Sequence, residues 1–236
     1  MKGLLTSLIA VLTFTGLQAQ SLPTAPKLVV GLTIDQLRTD YMEAFSSLFG
    51  AGGFNKVMRD GRSYMDAAYP FSHIDRASAV ACIMTGTVPY DNGIVGGRWM
   101  DRKTLRPMYC VDDTACEGWL TSEKYSPVAL NVSTVTDELK MATGGRALVY
   151  SIAPDADAAI LAAGHAADGA FWIDNASGQW SSTSYYGLYP DWALRYDVSD
   201  RLSGRISDLS WTPISPIVEN LSLIHISEPT RPRLIS

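Results

Sequence analysis

Residues 27–38 read KLVVGLTIDQLR, an apolar run of Leu28, Val29, Val30, Leu32 and Ile34 that stops at Asp35, Gln36 and Arg38. A continuous run of aliphatic and β-branched residues is the pattern of a strand buried on both faces. In open α/β sheets ligands bind beyond the carboxyl ends of such strands, so a carboxylate at this tip stands where a metal or substrate contact is made. From the stretch alone Asp35 reads in two ways, as that contact or as the cap of the following helix.

Strand-like and helix-like patterns alternate downstream. Apolar residues recur at helical spacing over residues 40–49, the glycine-rich residues 50–53 interrupt them, and a second short helix at 54–59 is stopped by Asp60-Gly61. Residues 63–69 read as a strand ended by Pro70. In FSHIDRASAVACIMTGTVPYDN, residues 71–92, a polar turn runs into a small-residue helix at 77–84 that halts at Thr85-Gly86-Thr87. A strand, a turn and a helix N-terminus in that order suit an anion, because the free N–H groups and the helix dipole both favour negative charge. Residues 93–100 and 104–111 form two extended arms about Asp101-Arg102-Lys103, and the polar stretch 112–127 reads as a surface loop.

Ser133 or Thr134 caps a helix with Asp137 and Glu138 in its first turn, and that helix ends at Gly144-Gly145. A second buried strand at 146–152, an Ala-rich helix at 154–163, a strand at 169–173, a turn at 174–178, a partner strand at 179–186 and a short helix at 190–196 complete the series. This alternation predicts an α/β fold with a mostly parallel central sheet and helices on both faces. The aromatic residues Phe171, Trp172, Trp180, Tyr185, Tyr186, Tyr189 and Trp192 read as a stacking surface or as a hairpin packed on the core, and burial is the commoner fate of such residues.

Composition narrows the function. Lys2 followed by the apolar residues 4–17 and by Leu17-Gln18-Ala19 reads as a secretory signal peptide over residues 1–19, too short for a spanning helix of roughly 20 apolar residues. The expected location is periplasmic or secreted, with no membrane span after cleavage. A net charge of −5 and a pI of about 5.1, without any basic cluster, disfavour a nucleic-acid partner. Of Cys82, Cys110 and Cys116, the last two would close a short loop if bridged, and free thiols are the alternative. Residues 221–231, LSLIHISEPTR, resemble the conceptual translation of an adapter used in DNA library preparation. Residues 221–236 are therefore set apart as a non-native tail, His225 is excluded from the site, and 20–220 is the expected domain.

The stretches VVGLTIDQLRTDY, GGFNKVMRDG, TGTVPYDNGIVGGRW, TDELK and AILAAGH, spread over residues 27–192, resemble in content and order the N-terminal half of the alkaline phosphatase superfamily. The similarity points to the exported phosphatase and phosphodiesterase branch of Bacteroidetes-type bacteria, in truncated form. The resemblance implies hydrolysis of a small phosphate ester with two zinc ions and a metal-bound Thr or Ser nucleophile. Asp35 then matches the first metal ligand.

Other positions depart from the family pattern. Counting back from Thr85-Gly86-Thr87, the nucleophile position falls on Arg76, which cannot attack phosphorus and is carried instead as a substrate contact. Ser78, two residues on, is the nearest hydroxyl and the candidate nucleophile under a shift of register. The phosphoryl-binding Asn position falls on Gly97, and the Lys-x-Arg phosphate clamp falls on Asp155-Ala156-Asp157. Two carboxylates there repel a phosphate dianion, or simply complement the dipole of the Ala-rich helix. Asp75 reads as an ion-pair partner for Arg76, while Ser72, His73 and His165 read as structural. The remaining metal ligands belong to the C-terminal half of the superfamily domain, so at most a partial zinc site is expected here. Two functions follow: an exported metal-dependent phosphoester hydrolase that is inactive as this chain, or a pseudoenzyme that keeps the fold as a cell-envelope binding or assembly protein.

Overall fold

The computed structural model describes residues 27–198 together with 209 and 210; the signal-peptide and tail readings, and His225, lie outside the described residues. The chain divides into two units, Met1–Met65 and Asp66–Ser236. In the first, α1 (Thr39–Ala44), a 3-10 turn at Ser46–Leu48 and α2 (Gly53–Asp60) lie on either side of the glycine-rich break. Residues 27–34 form no strand. They are irregular and exposed, with Leu28, Val29, Val30 and Leu32 between 69% and 82% accessible. The pattern that predicts burial expresses what such residues need, whereas a strand exists only through a ladder partner, and no described strand pairs with this one. The same holds for residues 63–69. Asp35 sits in an exposed turn, and α1 begins instead after Arg38, so the cap reading of Asp35 is not what forms.

The second unit is built around a parallel βαβ unit. Strand β4 (Tyr150–Ile152) leads into helix α6 (Ala156–Ala163) and then β5 (Gly169–Ile173), with Tyr150 opposite Gly169 and Ile152 opposite Phe171. Asp174 then reverses the chain: its carboxylate accepts from the Ala176 and Ser177 amides and from the Ser177 hydroxyl. A turn this tight returns the chain beside the strand it has left, so β6 (Trp180–Thr183) is antiparallel to β5. Strand β3 (Gly118–Trp119) adds antiparallel to β6, giving the order β3-β6-β5-β4. The fold is α/β as expected, but among the described strands the parallel component is the β4/β5 pair.

Helices α3 (Arg76–Thr85), α4 (Pro89–Asn92), α5 (Val135–Ala142) and α7 (Asp191–Val198) complete the unit, with a separate hairpin of β1 (Arg98–Met100) and β2 (Pro107–Tyr109). Successive residues of β5 point to opposite faces. Ala170 and Trp172 join Ile160 and Leu161 of α6 and Ala77, Val80 and Ala81 of α3 in one buried cluster. Phe171, on the other face, stacks edge-on against Trp192 of α7 at 5.2 Å. The aromatic hairpin thus packs on the core, leaving beside α7 an apolar recess of about 240 Å³ lined by Ile152, Phe171, Trp180, Trp192, Ala193 and Tyr196.

One expectation is corrected and one open alternative is decided. Residues 112–127 are not merely a surface loop: Asp112 bridges Tyr125, β3 joins the sheet, and Tyr125 is buried because its ring packs between Tyr109 and Trp172. Cys110 and Cys116 are both free thiols. Cys110 lies in the apolar cluster, while the Cys116 thiol donates to the Asp113 carboxylate at 3.4 Å.

The start of α5 is tied to the end of α6 by a capping box. The Thr134 hydroxyl accepts from the Asp137 amide at 3.2 Å, and the Asp137 carboxylate accepts from the Thr134 amide at 2.8 Å and the Ala166 amide at 2.7 Å. Gly164, at φ +77°, lies against this box, and a Cβ there would run into the Thr134 hydroxyl and both Asp137 oxygens. Gly164→Ala is therefore expected to lower stability by about 2 kcal/mol or more through steric overlap and left-handed backbone strain. Gly50→Ala, where a Cβ meets nothing within 4 Å, is expected to change it by no more than about 0.5 kcal/mol. Urea unfolding midpoints measure both.

Candidate functional site

Helix α3 starts where it does because Asp75 caps it. The carboxylate accepts from the Ser78 amide at 2.9 Å, and the Ser78 hydroxyl accepts from the Asp75 amide at 3.0 Å, a reciprocal capping box. The second carboxylate oxygen of Asp75 accepts from the Gly97 amide at 2.6 Å, which ties the helix to the residue before β1. Ser78 is fully buried, and its hydroxyl also donates to the Asp75 carboxylate at 2.9 Å. It presents no open surface to a phosphoryl group.

Arg76, the first residue of α3, reaches across to the first turn of α6. Its Nε and Nη2 donate to the two oxygens of Asp157 at 3.0 and 3.1 Å, and its Nη1 donates to Asp155 at 2.5 Å. A planar guanidinium forked on a carboxylate is the strongest common geometry for such a pair. Asp157 is the buried end, with a side chain 3% accessible, against 36% for Arg76 and 40% for Asp155. The Tyr109 hydroxyl accepts from the Asp157 amide at 3.3 Å, and the Arg98 guanidinium lies over the Tyr109 ring at 4.7 Å. Position 97 opens between carboxylates: a Cβ there would stand 3.5 Å from an Asp75 oxygen and 3.9 Å from an Asp157 oxygen.

The titration behaviour follows from these contacts. Burial alone would lower the Arg76 pKa, but the hydrogen bonds and charge of Asp157, and then the charge of Asp155, outweigh it and hold the guanidinium more firmly protonated. Burial, followed by the charge of Asp157, pushes the Tyr109 hydroxyl and the Cys110 thiol far above their ordinary ranges, so both stay protonated. Burial of Asp75 acts to raise its pKa, yet the amides of Ser78 and Gly97 outweigh it and hold the carboxyl below its usual range.

The expected residues are thus brought together in a way their spacing did not announce. Arg76, Asp155 and Asp157 form one ion-pair cluster, while Asp75 is a cap and not the partner of Arg76. Asp155 and Asp157 do stand at the N-cap and in the first turn of α6, as the dipole reading has it, but their hydrogen bonds go largely to Arg76. Asp35 belongs to the first unit, in an exposed turn. His73 is exposed and His165 half-buried. Among the described residues no three His, Cys, Asp or Glu side chains gather as a metal centre requires, so no complete zinc site is assembled among them. Tyr109 and the Gly97 amide were missed from sequence. The Asp75-x-x-Ser78 capping signature was there to be read.

Two outcomes follow. Arg76→Ala and Asp157→Ala should each cost about 2–4 kcal/mol, because each strands a charge held in the other's fork, and the double variant should fall short of their sum by about 1–3 kcal/mol. A double-mutant cycle by chemical unfolding measures this coupling. Because the folded pKa of Asp75 is depressed, its contribution is present above the unfolded value of about 4 and is lost as pH falls through the lower folded value. Asp75→Ala should cost about 0.5–2 kcal/mol at neutral pH, with the difference from the wild type narrowing below about pH 4, as read from unfolding midpoints against pH.

Comparison with known proteins agrees with this geometry at the level of the fold. The profile of the type I phosphodiesterase / nucleotide pyrophosphatase family matches residues 29–234, a range that includes part of the stretch set apart as a tail. The chain is 39% identical over 196 residues to alkaline phosphatase PhoV of Synechococcus elongatus, covering 81% of this chain and 36% of the relative. It is 31% identical over 221 residues to alkaline phosphatase PafA of Elizabethkingia meningoseptica, covering 92% and 40%. The crystal structure of wild-type PafA superposes with a TM-score of 0.77 at 32% identity, over 83% of this chain and 38% of that one. A PafA variant with one Thr replaced by Ser, and Asn, Lys and Arg residues each replaced by Ala, superposes with a TM-score of 0.71. The chain therefore spans less than half the length of the relatives it matches. With the profile matched across most of its residues, the chain belongs to the type I phosphodiesterase / nucleotide pyrophosphatase family, within the alkaline phosphatase superfamily.

Proposed function

We propose that the protein to which this chain belongs is an exported, metal-dependent hydrolase of small phosphate esters. The observation that carries the reading is the family match over residues 29–234, joined by 39% identity to a protein named as an alkaline phosphatase. Export rests on the leader-like residues 1–19. In this reading Asp35 would be one ligand position for two zinc ions, the other ligands would come from the length of the relatives that this chain does not span, and the metals would supply Lewis acidity. The chain by itself is then inactive. Ser78 serves as a capping residue in this reading, because its hydroxyl is buried in the Asp75 box, and Arg76 serves as a brace.

A second reading, a pseudoenzyme that keeps the fold for binding or assembly at the cell envelope, is favoured by one observation. Arg76, which the family resemblance puts at the nucleophile position, and Asp155 and Asp157, which it puts at the phosphate clamp, are bonded to one another.

The test is turnover of bis-p-nitrophenyl phosphate and p-nitrophenyl phosphate by the whole protein, with zinc content measured alongside. The hydrolase reading expects stoichiometric zinc and turnover. It also expects Asp35→Asn to lower both, with turnover falling by at least the roughly 10–100-fold that loss of even an outer partner of a metal costs. Ser78→Ala should lower the thermal midpoint and leave turnover per folded molecule unchanged. Absence of turnover in zinc-replete whole protein leaves the pseudoenzyme.

A further inference from the structure

We propose that this chain supplies its own anion: Asp155 and Asp157, clamped on Arg76, fill the place where a family member would take up a phosphoryl group, and the site rejects a phosphate dianion. The proposal rests on the family reading for the identity of the position and on this chain's geometry for the charge. Three observations carry it.

Every nitrogen of the guanidinium already has a carboxylate partner, and three of its five N–H groups are engaged. Nε, Nη1 and Nη2 each donate to a carboxylate oxygen, at 3.0, 2.5 and 3.1 Å. An anion would have to displace a bidentate partner whose side chain is only 3% accessible.

Three of the helix N-terminal amides that converge here are already taken. The Ser78 amide of α3 is taken by Asp75, the Asp157 amide of α6 by the Tyr109 hydroxyl, and the Ala158 amide by the Asp157 carboxylate at 2.7 Å. These donors, of the kind that makes a helix start attractive to phosphate, are spent on groups of the chain itself.

The local charge has the wrong sign. Asp75, Asp155 and Asp157 face the single guanidinium of Arg76, and position 97 lies between two of those carboxylates. The other charged neighbours do not reverse this balance: Arg98 is stacked over the Tyr109 ring, and His73, whose influence reaches Asp75, is exposed. A dianion entering this cluster meets carboxylates at close range, where screening by water and salt is weakest.

The experiment is a titration of the full chain with inorganic phosphate at about pH 8, where phosphate is mainly a dianion, followed by ³¹P NMR. The wild type is expected to give no saturable shift or broadening. Asp155→Asn combined with Asp157→Asn keeps the side-chain volumes, frees the guanidinium and removes two negative charges. It is expected to gain saturable binding at least about tenfold tighter than any wild-type response, and adding Arg76→Ala should abolish that gain.

Saturable wild-type binding would overturn the proposal, whether or not Arg76→Ala weakens it. So would a folded double variant, judged by near-UV circular dichroism, that gains nothing. If the double variant does not fold, the wild-type titration decides, absence of saturable binding supporting the proposal and its presence overturning it. Diester turnover by the whole protein tests the hydrolase reading separately, so either idea can fail while the other stands.

Discussion

The second unit depends on how the N-termini of two helices that lean on one another can be made electrically tolerable. Helices α3 and α6 share one apolar cluster, through Ala77, Val80 and Ala81 on one side and Ala159, Ile160 and Leu161 on the other. Their packing brings the positive ends of two dipoles to the same place, and such a junction calls for negative charge. Asp75, Asp155 and Asp157 provide it, and Arg76 then holds two of the three carboxylates together. The fork is thus a consequence of the packing, and it is also what aligns the helices, because a bidentate guanidinium fixes angle as well as distance.

Local signals in the chain were read well wherever both partners of an interaction lie close in sequence. The capping box of Thr134 and Asp137, the turn at Asp174, and strand Gly169–Ile173 between its helix and its turn all form where expected. Each is decided by hydrogen bonds or burial within a few residues. Residues 27–34 were read as the organising strand and are not one, because apolar and β-branched composition states a demand for burial that only distant chain can meet. In the sheet that does form, the β5/β6 hairpin stands where it was expected, while the edge strand β3 was not foreseen, because it is a two-residue strand inside a polar stretch that carries no periodic signal.

The site was legible as a set of departures and illegible as an arrangement. Arg76, Gly97, Asp155 and Asp157 were each conspicuous against the family pattern, one at a time. What joins them is contact between residues 79 and 81 positions apart, and spacing along the chain says nothing about that. One clue was available: by the resemblance, a cation stands where the family has a neutral hydroxyl, and two anions stand where it has two cations. Opposite changes of sign in one site are what a closed ion pair requires. Reading Asp75 as the partner of Arg76 followed adjacency, which was the wrong guide, because the residue before a helix is better placed to cap it than to pair with its first side chain.

The three charged residues make physical sense only as a group. Arg76 without the two aspartates would put an uncompensated cation at the positive ends of two helices, next to amides that already repel it. Asp155 and Asp157 without Arg76 would leave a nearly buried carboxylate beside a second one, with Asp75 close by, and a stranded buried charge is among the costlier defects a fold can carry. In the group the guanidinium offsets part of the carboxylate charge and leaves the cluster net negative, and its hydrogen-bonding capacity is largely used. The same closure that makes the cluster tolerable to the fold occupies the groups an incoming phosphate would need, so the stability of this junction and its capacity to bind an anion are set in opposition by one set of bonds.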